Sequence, residues 1–166
     1  AEIWSPATNE WTVLASATRV RAYHSVSMLM PDGTVLHGAS GDANVPGTSV
    51  PYSPERSHEI FEPPYLFKGA RPEISGAPTT VGYGQIFGVT TPAAGQVTQV
   101  RWVRLGSVTH AFDANTMAVT LEFSAGEGNI SVTAPANPNV APPGHYLMFV
   151  LNRNGVPSEG RIIKVQ

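Results

Sequence analysis

Hydrophobic positions in this chain come in short β-branched or aromatic runs, cut at close intervals by Gly, Pro, Asn and Asp. No segment sustains a helical period, so the pattern predicts strands throughout. Ser25-Val26-Ser27-Met28-Leu29-Met30 runs into Pro31-Asp32-Gly33, a strong turn signal, and Thr34-Val35-Leu36-His37 returns as its hairpin partner. From Arg71-Pro72-Glu73-Ile74 onward the chain offers strands at 85–90, 97–105, 117–123, 129–134, 146–151 and 161–165. Gly126-Glu127-Gly128-Asn129 and Asn152-Arg153-Asn154-Gly155 punctuate them as turns. About seven strands with frequent turns suit an immunoglobulin-like β-sandwich. The boundary is expected at Lys68-Gly69-Ala70-Arg71-Pro72, giving residues 1–68 and 69–166 as two modules.

The first module carries an internal echo. Glu2-Ile3-Trp4-Ser5-Pro6 returns as Glu59-Ile60-Phe61-Glu62-Pro63, at close to the ~50-residue period of a propeller blade. Between the copies lie Trp11, His24-Ser25, the Asp32-Gly33 turn and the Gly38/Gly41 pair. Together these resemble a kelch repeat. Residues 1–68 therefore read as the last kelch blade, preceded by the last strand of the blade before it. A single blade cannot bury both faces of its sheet, so this module needs the rest of a propeller or another partner.

Composition narrows the picture. Of 166 residues, 42% are apolar, enough for a packed core, while only 13% are charged and the net charge is −2. That excludes the basic footprint of a nucleic-acid binder. No apolar run is long enough to span a membrane. The opening Ala1-Glu2-Ile3-Trp4-Ser5-Pro6 reads as folded structure rather than a signal peptide, which suggests a cut end. Gly (16) and Pro (15) are frequent and spread out, as in an all-β protein. The absence of cysteine excludes disulfides, zinc ribbons and thiol catalysis.

The candidate chemistry sits in Arg21-Ala22-Tyr23-His24-Ser25 and Ser107-Val108-Thr109-His110-Ala111. Neighbours on a straight strand point to opposite faces, so Tyr23 and His24 can serve one metal only from a bent loop or strand start. His110 falls between two expected strands, near the tip of a long hairpin. Imidazoles and a phenolate suit Cu(II), whose charge lowers the phenol pKa. The alternative is structural: a hydroxyl or ring N–H bonded to backbone. His37 and His58 read as solvent-facing, His145 as structural, and Glu55, Glu59 and Glu62 as scattered surface acids. Tyr65, Phe67, Trp102 and Phe149 read as core and interface aromatics, with a sugar-stacking platform as the alternative.

The order of these motifs along nearly the whole chain resembles the C-terminal part of the galactose oxidase and glyoxal oxidase family, the copper radical oxidases. The resemblance runs through Arg21-Ala22-Tyr23-His24-Ser25, Ile60-Phe61-Glu62-Pro63-Pro64-Tyr65-Leu66, Thr109-His110-Ala111-Phe112-Asp113 and Pro143-Gly144-His145-Tyr146. It closes with Gly155-Val156-Pro157-Ser158. It implies an all-β fold: a kelch propeller followed by an immunoglobulin-like early-set domain, whose hairpin delivers a histidine to copper. It implies Tyr23 as axial copper ligand and catalytic base, and His24 and His110 as equatorial ligands. It implies oxidation of a primary alcohol or aldehyde, with O2 reduced to H2O2. The family's Cys-Tyr radical cofactor has no counterpart here, because the chain lacks cysteine; it is expected upstream. The run Asp113-Ala114-Asn115-Thr116-Met117 also lacks the Gln-Arg pair common in the family. The isolated chain is therefore expected to be inactive, partnered by an upstream propeller segment or companion chain. Its substrate would be a small alcohol, aldehyde or carbohydrate, and its setting secreted or extracytoplasmic. The competing reading is a non-catalytic early-set module that binds carbohydrate or a protein.

Overall fold

A computed structural model describes residues 1–41, 54–110 and 112–166. Ala111, within one of the motifs above, lies outside them. The described residues are all-β, with only two short 3-10 turns, at Pro64–Phe67 and Ala94–Gln96. Among the described residues, no helix is long and apolar enough to cross a membrane.

The N-terminal part forms two small sheets. Strands β1 (Glu2–Ser5) and β2 (Glu10–Val13) pair as an antiparallel hairpin. Trp4 and Trp11 stand opposite each other across it, and Asn9 turns the chain with φ 58°. The Trp4 indole N–H donates to Asn9 Oδ1 at 3.2 Å. Strands β3 (Val26–Leu29), β4 (Val35–Gly38) and β5 (His58–Phe61) form a second antiparallel sheet. Strand β2, at Trp11, pairs with β1 across the turn at Asn9. The β3–β4 connection is the expected Pro31-Asp32-Gly33 turn. Gly33 supplies φ 83°, and the Asp32 carboxylate accepts from the Thr34 N–H and hydroxyl at 2.9 and 2.7 Å.

The rest is a two-sheet sandwich. The strands are β6 (Thr80–Val81), β7 (Ile86–Thr90), β8 (Val97–Arg104), β9 (Val108–Thr109), β10 (Phe112–Asp113), β11 (Ala118–Leu121), β12 (Phe123–Ala125), β13 (Asn129–Thr133), β14 (Gly144–Asn152) and β15 (Arg161–Val165). One sheet has the order β11-β8-β14-β15-β6, the other β12-β13-β7. The expected strand at 117–123 divides between them: β11 pairs with β8, and β12 with β13. The chain changes sheets at Glu122.

Alternation along the strands builds the core. Phe87 and Val89 of β7, Ile130 and Val132 of β13, Val100 and Trp102 of β8, and Tyr146, Met148 and Val150 of β14 close the space between the sheets. Trp102 stacks between Phe87 and Tyr146, with ring centroids 6.1 and 5.5 Å away. The Tyr146 hydroxyl donates to Pro142 O at 2.6 Å, so its polar tip is satisfied. Leu147 and Phe149 are buried too, yet outside this core. They occupy the other face of β14, which is covered by the N-terminal part.

That contact is held by polar links around the β3–β4 turn. The Arg71 guanidinium donates to Asp32 O, Pro157 O and Ser158 O at 2.6, 3.0 and 2.7 Å. Tyr65 Oη donates to Gly33 O at 2.6 Å, and the Gly160 N–H to Pro31 O at 2.7 Å. Phe149 and Tyr65 share a cleft at this junction with Leu29 and Gly33. Trp102, Phe149 and Tyr65 thus serve packing, as expected. Phe67 does not: it is 70% exposed and borders a cleft of about 470 Å³ beside β5. Every fully buried hydrophobic side chain among the described residues lies at Ile74 or beyond.

Candidate metal centre

Residues 14–25 join β2 to β3 without regular structure, so Tyr23 and His24 are not confined to opposite faces of a pleat. His24 has φ 62°, a left-handed conformation that non-glycine residues avoid. The Ser25 N–H closes a tight turn onto Ala22 O at 3.0 Å. The Gly41 N–H donates to Tyr23 O, and the Ala22 N–H to Ser40 Oγ at 2.8 Å. This bend turns both rings to one side: their centroids lie 4.0 Å apart.

His110 arrives from the sandwich. Strands β9 and β10 form a short hairpin in which Thr109 pairs with Phe112, placing His110 at its tip with φ 54°. Strand β9 lies against β3, so the hairpin reaches out of its sandwich to the N-terminal part. The neck is held by Asp113, whose Oδ1 accepts from the N–H groups of Asn115 and Thr116, each at 3.1 Å. The Thr116 hydroxyl above all, then those two N–H groups, holds the Asp113 carboxyl below its ordinary pKa. Asn115 Nδ2 donates to Ser107 Oγ at 3.0 Å across the neck.

The His110 ring centroid lies 4.5 Å from His24 and 5.5 Å from Tyr23, edge-on to both. Two segments far apart in sequence therefore bring one phenol and two imidazoles together. His110 Nδ1 is 2.7 Å from Thr109 Oγ1, which leaves Nε2 as the ring nitrogen for another partner. Tyr23 is 51% exposed and His110 is exposed, so the cluster is open on one side. Among the described residues, no group of three or more His, Cys, Asp or Glu comes together as a metal site, and this cluster is two histidines with a tyrosine.

The other histidines are dispersed. His58 and His145 are exposed. His37, expected to face solvent, is instead half-buried, its Nδ1 2.8 Å from Ser27 Oγ on the paired strand. Glu59, expected as a scattered surface acid, accepts from the Thr18 N–H at 2.8 Å and pairs with Arg21 at 3.1 Å. The Thr18 bond is the main cause that holds its carboxyl below the usual value. Arg21 was visible in the motif without a role, because its partners lie far along the chain.

The fold is an all-β chain whose C-terminal sandwich extends a histidine hairpin onto a small N-terminal sheet. The family model of the galactose oxidase-like early set domain matches residues 71–165. The chain belongs to that family.

Among its relatives, an aldehyde oxidase of Arabidopsis thaliana, GLOX1, is 34% identical over 92% of this chain and 27% of its own length. A galactose oxidase of Gibberella zeae is 32% identical over 88% of this chain and 22% of its own. A solved structure of a fungal alcohol oxidase of the AA5 family, in complex with copper, superimposes with a TM-score of 0.88 at 28% identity. That match covers 99% of this chain and 35% of the fungal enzyme. The chain thus spans about a quarter to a third of the proteins it resembles.

Proposed function

We propose that this chain is the C-terminal portion of a copper radical oxidase and contributes Tyr23, His24 and His110 to its metal centre. In this reading residues 1–68 are the last kelch blade with the end of the preceding one, and residues 69–166 the early-set domain. The observation that carries the proposal is the meeting of the three rings, delivered by two segments that no local pairing brings together.

The donor set fits copper. Neutral imidazole nitrogens with a phenolate oxygen are the N/O ligation that Cu(II) favours. Copper held there supplies the redox chemistry: a primary alcohol or aldehyde is oxidised and O2 is reduced to H2O2. The two imidazoles would hold the ion, and Tyr23 would accept the proton of the substrate hydroxyl at its phenolic oxygen. The Cys-Tyr radical cofactor does not fit this chain, which has no cysteine. That cofactor, and the walls of a substrate pocket, belong to an upstream propeller segment or companion chain, and the chain alone is inactive. The exposed apolar residues Ile3, Trp11, Val13 and Ile60 on β1, β2 and β5 support such a partner. A secreted or extracytoplasmic setting accompanies this reading.

Copper titration followed by electron paramagnetic resonance tests it, on the chain alone and with the propeller segment added. A signal with two-nitrogen coupling is expected, which His24→Ala or His110→Ala reduces to one nitrogen and Tyr23→Phe alters in its optical spectrum. If all three variants bind copper as the parent does, even with the propeller segment present, the reading fails.

A further inference from the structure

Tyr23 and His24 sit on a segment that the hydrophobic effect does not hold. No apolar residue from 15 to 25 is buried, and Val20 is 93% exposed. What holds it is polar, and Arg21 is at its centre. None of the Arg21 side chain is exposed. Its guanidinium donates to Ala39 O at 3.3 Å, Ser57 O at 2.8 Å, Ser57 Oγ at 2.9 Å and Glu59 Oε1 at 3.1 Å. The first carbonyl follows β4, the Ser57 groups precede β5, and Glu59 lies on β5. The other Glu59 oxygen accepts from the Thr18 N–H, at the start of the same segment. Glu59 therefore ties both ends of residues 18–21 to β5, and the Ala39 carbonyl adds a link just past β4.

A buried planar fork fits this task better than an ammonium, because its donors meet several acceptors at fixed angles. Burial also makes the arrangement demanding: removal of the cation would take one donor each from Ala39 O and Glu59, and would leave Ser57 O with only the Ala39 N–H. The Tyr23–His24 bend begins directly after Arg21, so movement of Arg21 moves both rings relative to His110.

We propose that Arg21, braced by Glu59 and Ser57, is a positioning residue of the copper centre, fixing the Tyr23–His24 bend so that it meets His110. The proposal rests on the copper reading above, but its first readout does not. In the full chain, Arg21→Met is expected to speed hydrogen exchange at the Ser25 amide about tenfold or more. Val150, deep in β14, keeps its protection. In the copper titration, Arg21→Met is expected to weaken binding about 10- to 100-fold and disturb the two-nitrogen pattern.

Unchanged exchange at Ser25 overturns the proposal whether or not copper binds. Faster exchange at Ser25 in a parent that shows no ring-dependent copper signal upholds the positioning role, while the copper reading falls. If Arg21→Met also strips protection from Val150, Arg21→Lys and Glu59→Gln decide. Selective acceleration at Ser25 in these milder variants supports the proposal, and its absence overturns it.

Discussion

Gly160→Ala tests how the sandwich holds the N-terminal sheet. Gly160 precedes β15 and lies between the buried ring of Phe149 and the backbone of the β3–β4 turn. A Cβ built there would sit 2.9 Å from two Phe149 ring carbons and 3.3 Å from Pro31 O. Carbon atoms pack at about 3.5–4.0 Å, so the ring must retreat by roughly half an ångström or more. It has little room, because Phe149 is buried on the face of β14 that meets the turn. Nor can the chain easily retreat the other way, since the Gly160 N–H donates to Pro31 O at 2.7 Å. Overpacking of this kind destabilises by about 1–3 kcal/mol. For a chain of this length, that lowers Tm by about 2–4 °C per kcal/mol. Gly155→Ala is the control: Gly155 has φ 74° and nothing within 4 Å of a built Cβ. It therefore carries only left-handed strain, about 1–2 kcal/mol. Urea unfolding followed by fluorescence, with calorimetry alongside, measures both. Separate transitions for the two parts in Gly160→Ala would locate the damage at the junction. If Gly160→Ala matches the parent within about 0.5 kcal/mol, the junction is looser than this geometry states.

Trp102→Ala, which empties the space between Phe87 and Tyr146, is expected to cost about 3–5 kcal/mol in denaturant unfolding. A loss under about 1 kcal/mol would contradict its place in the core. Asp32 has its pKa lowered, first by the Thr34 hydroxyl and then by the Thr34 N–H. A carboxylate depressed in the folded state stabilises the protein above its unfolded pKa, about 3.9, and that contribution is lost as pH falls through the lower folded value. Asp32→Asn should therefore flatten the acid limb of urea midpoints measured below about pH 4, and parallel curves for variant and parent would refute this.

Much of the fold was legible because strand alternation and turn chemistry act locally. The β3–β4 hairpin follows from Pro31-Asp32-Gly33, and most sandwich strands lie within a residue or two of their expected bounds. The division of residues 117–123 was not legible. A run that changes sheets at Glu122 keeps the same apolar content as one that does not, and only partner strands distinguish them. The three rings were legible as residue types, but their meeting was not a property of spacing. It depends on β9 lying against β3, a contact between parts that only the folded chain brings together. The Arg21–Glu59 pair was hidden for the same reason: its acid reads as an ordinary surface glutamate until the two strands are placed.

The backbone gives the ring cluster an independent signature. Four non-glycine residues among those described have positive φ: Asn9, His24, Ala39 and His110. Asn9 is in a hairpin turn, where asparagine tolerates that conformation and its side chain is bonded to Trp4. His110 likewise stands in a two-residue hairpin turn and His24 in the Ala22–Ser25 turn, both places where positive φ occurs. The fourth, Ala39, offers its carbonyl to Arg21. Each of these last three carries about 1–2 kcal/mol of left-handed strain, which persists only where surrounding contacts outweigh it. Those contacts are in place: the Arg21 fork and the Tyr23–Gly41 bond on one side, the Thr109–Phe112 pairing on the other. Glycine would relieve the strain at 24 and 110 but would provide no ring. The chain has histidine rather than glycine at the positive-φ position of both segments, and there the rings converge. Turn geometry accounts for the positive φ at both positions, and the proposed copper centre gives a reason for an imidazole there instead of glycine.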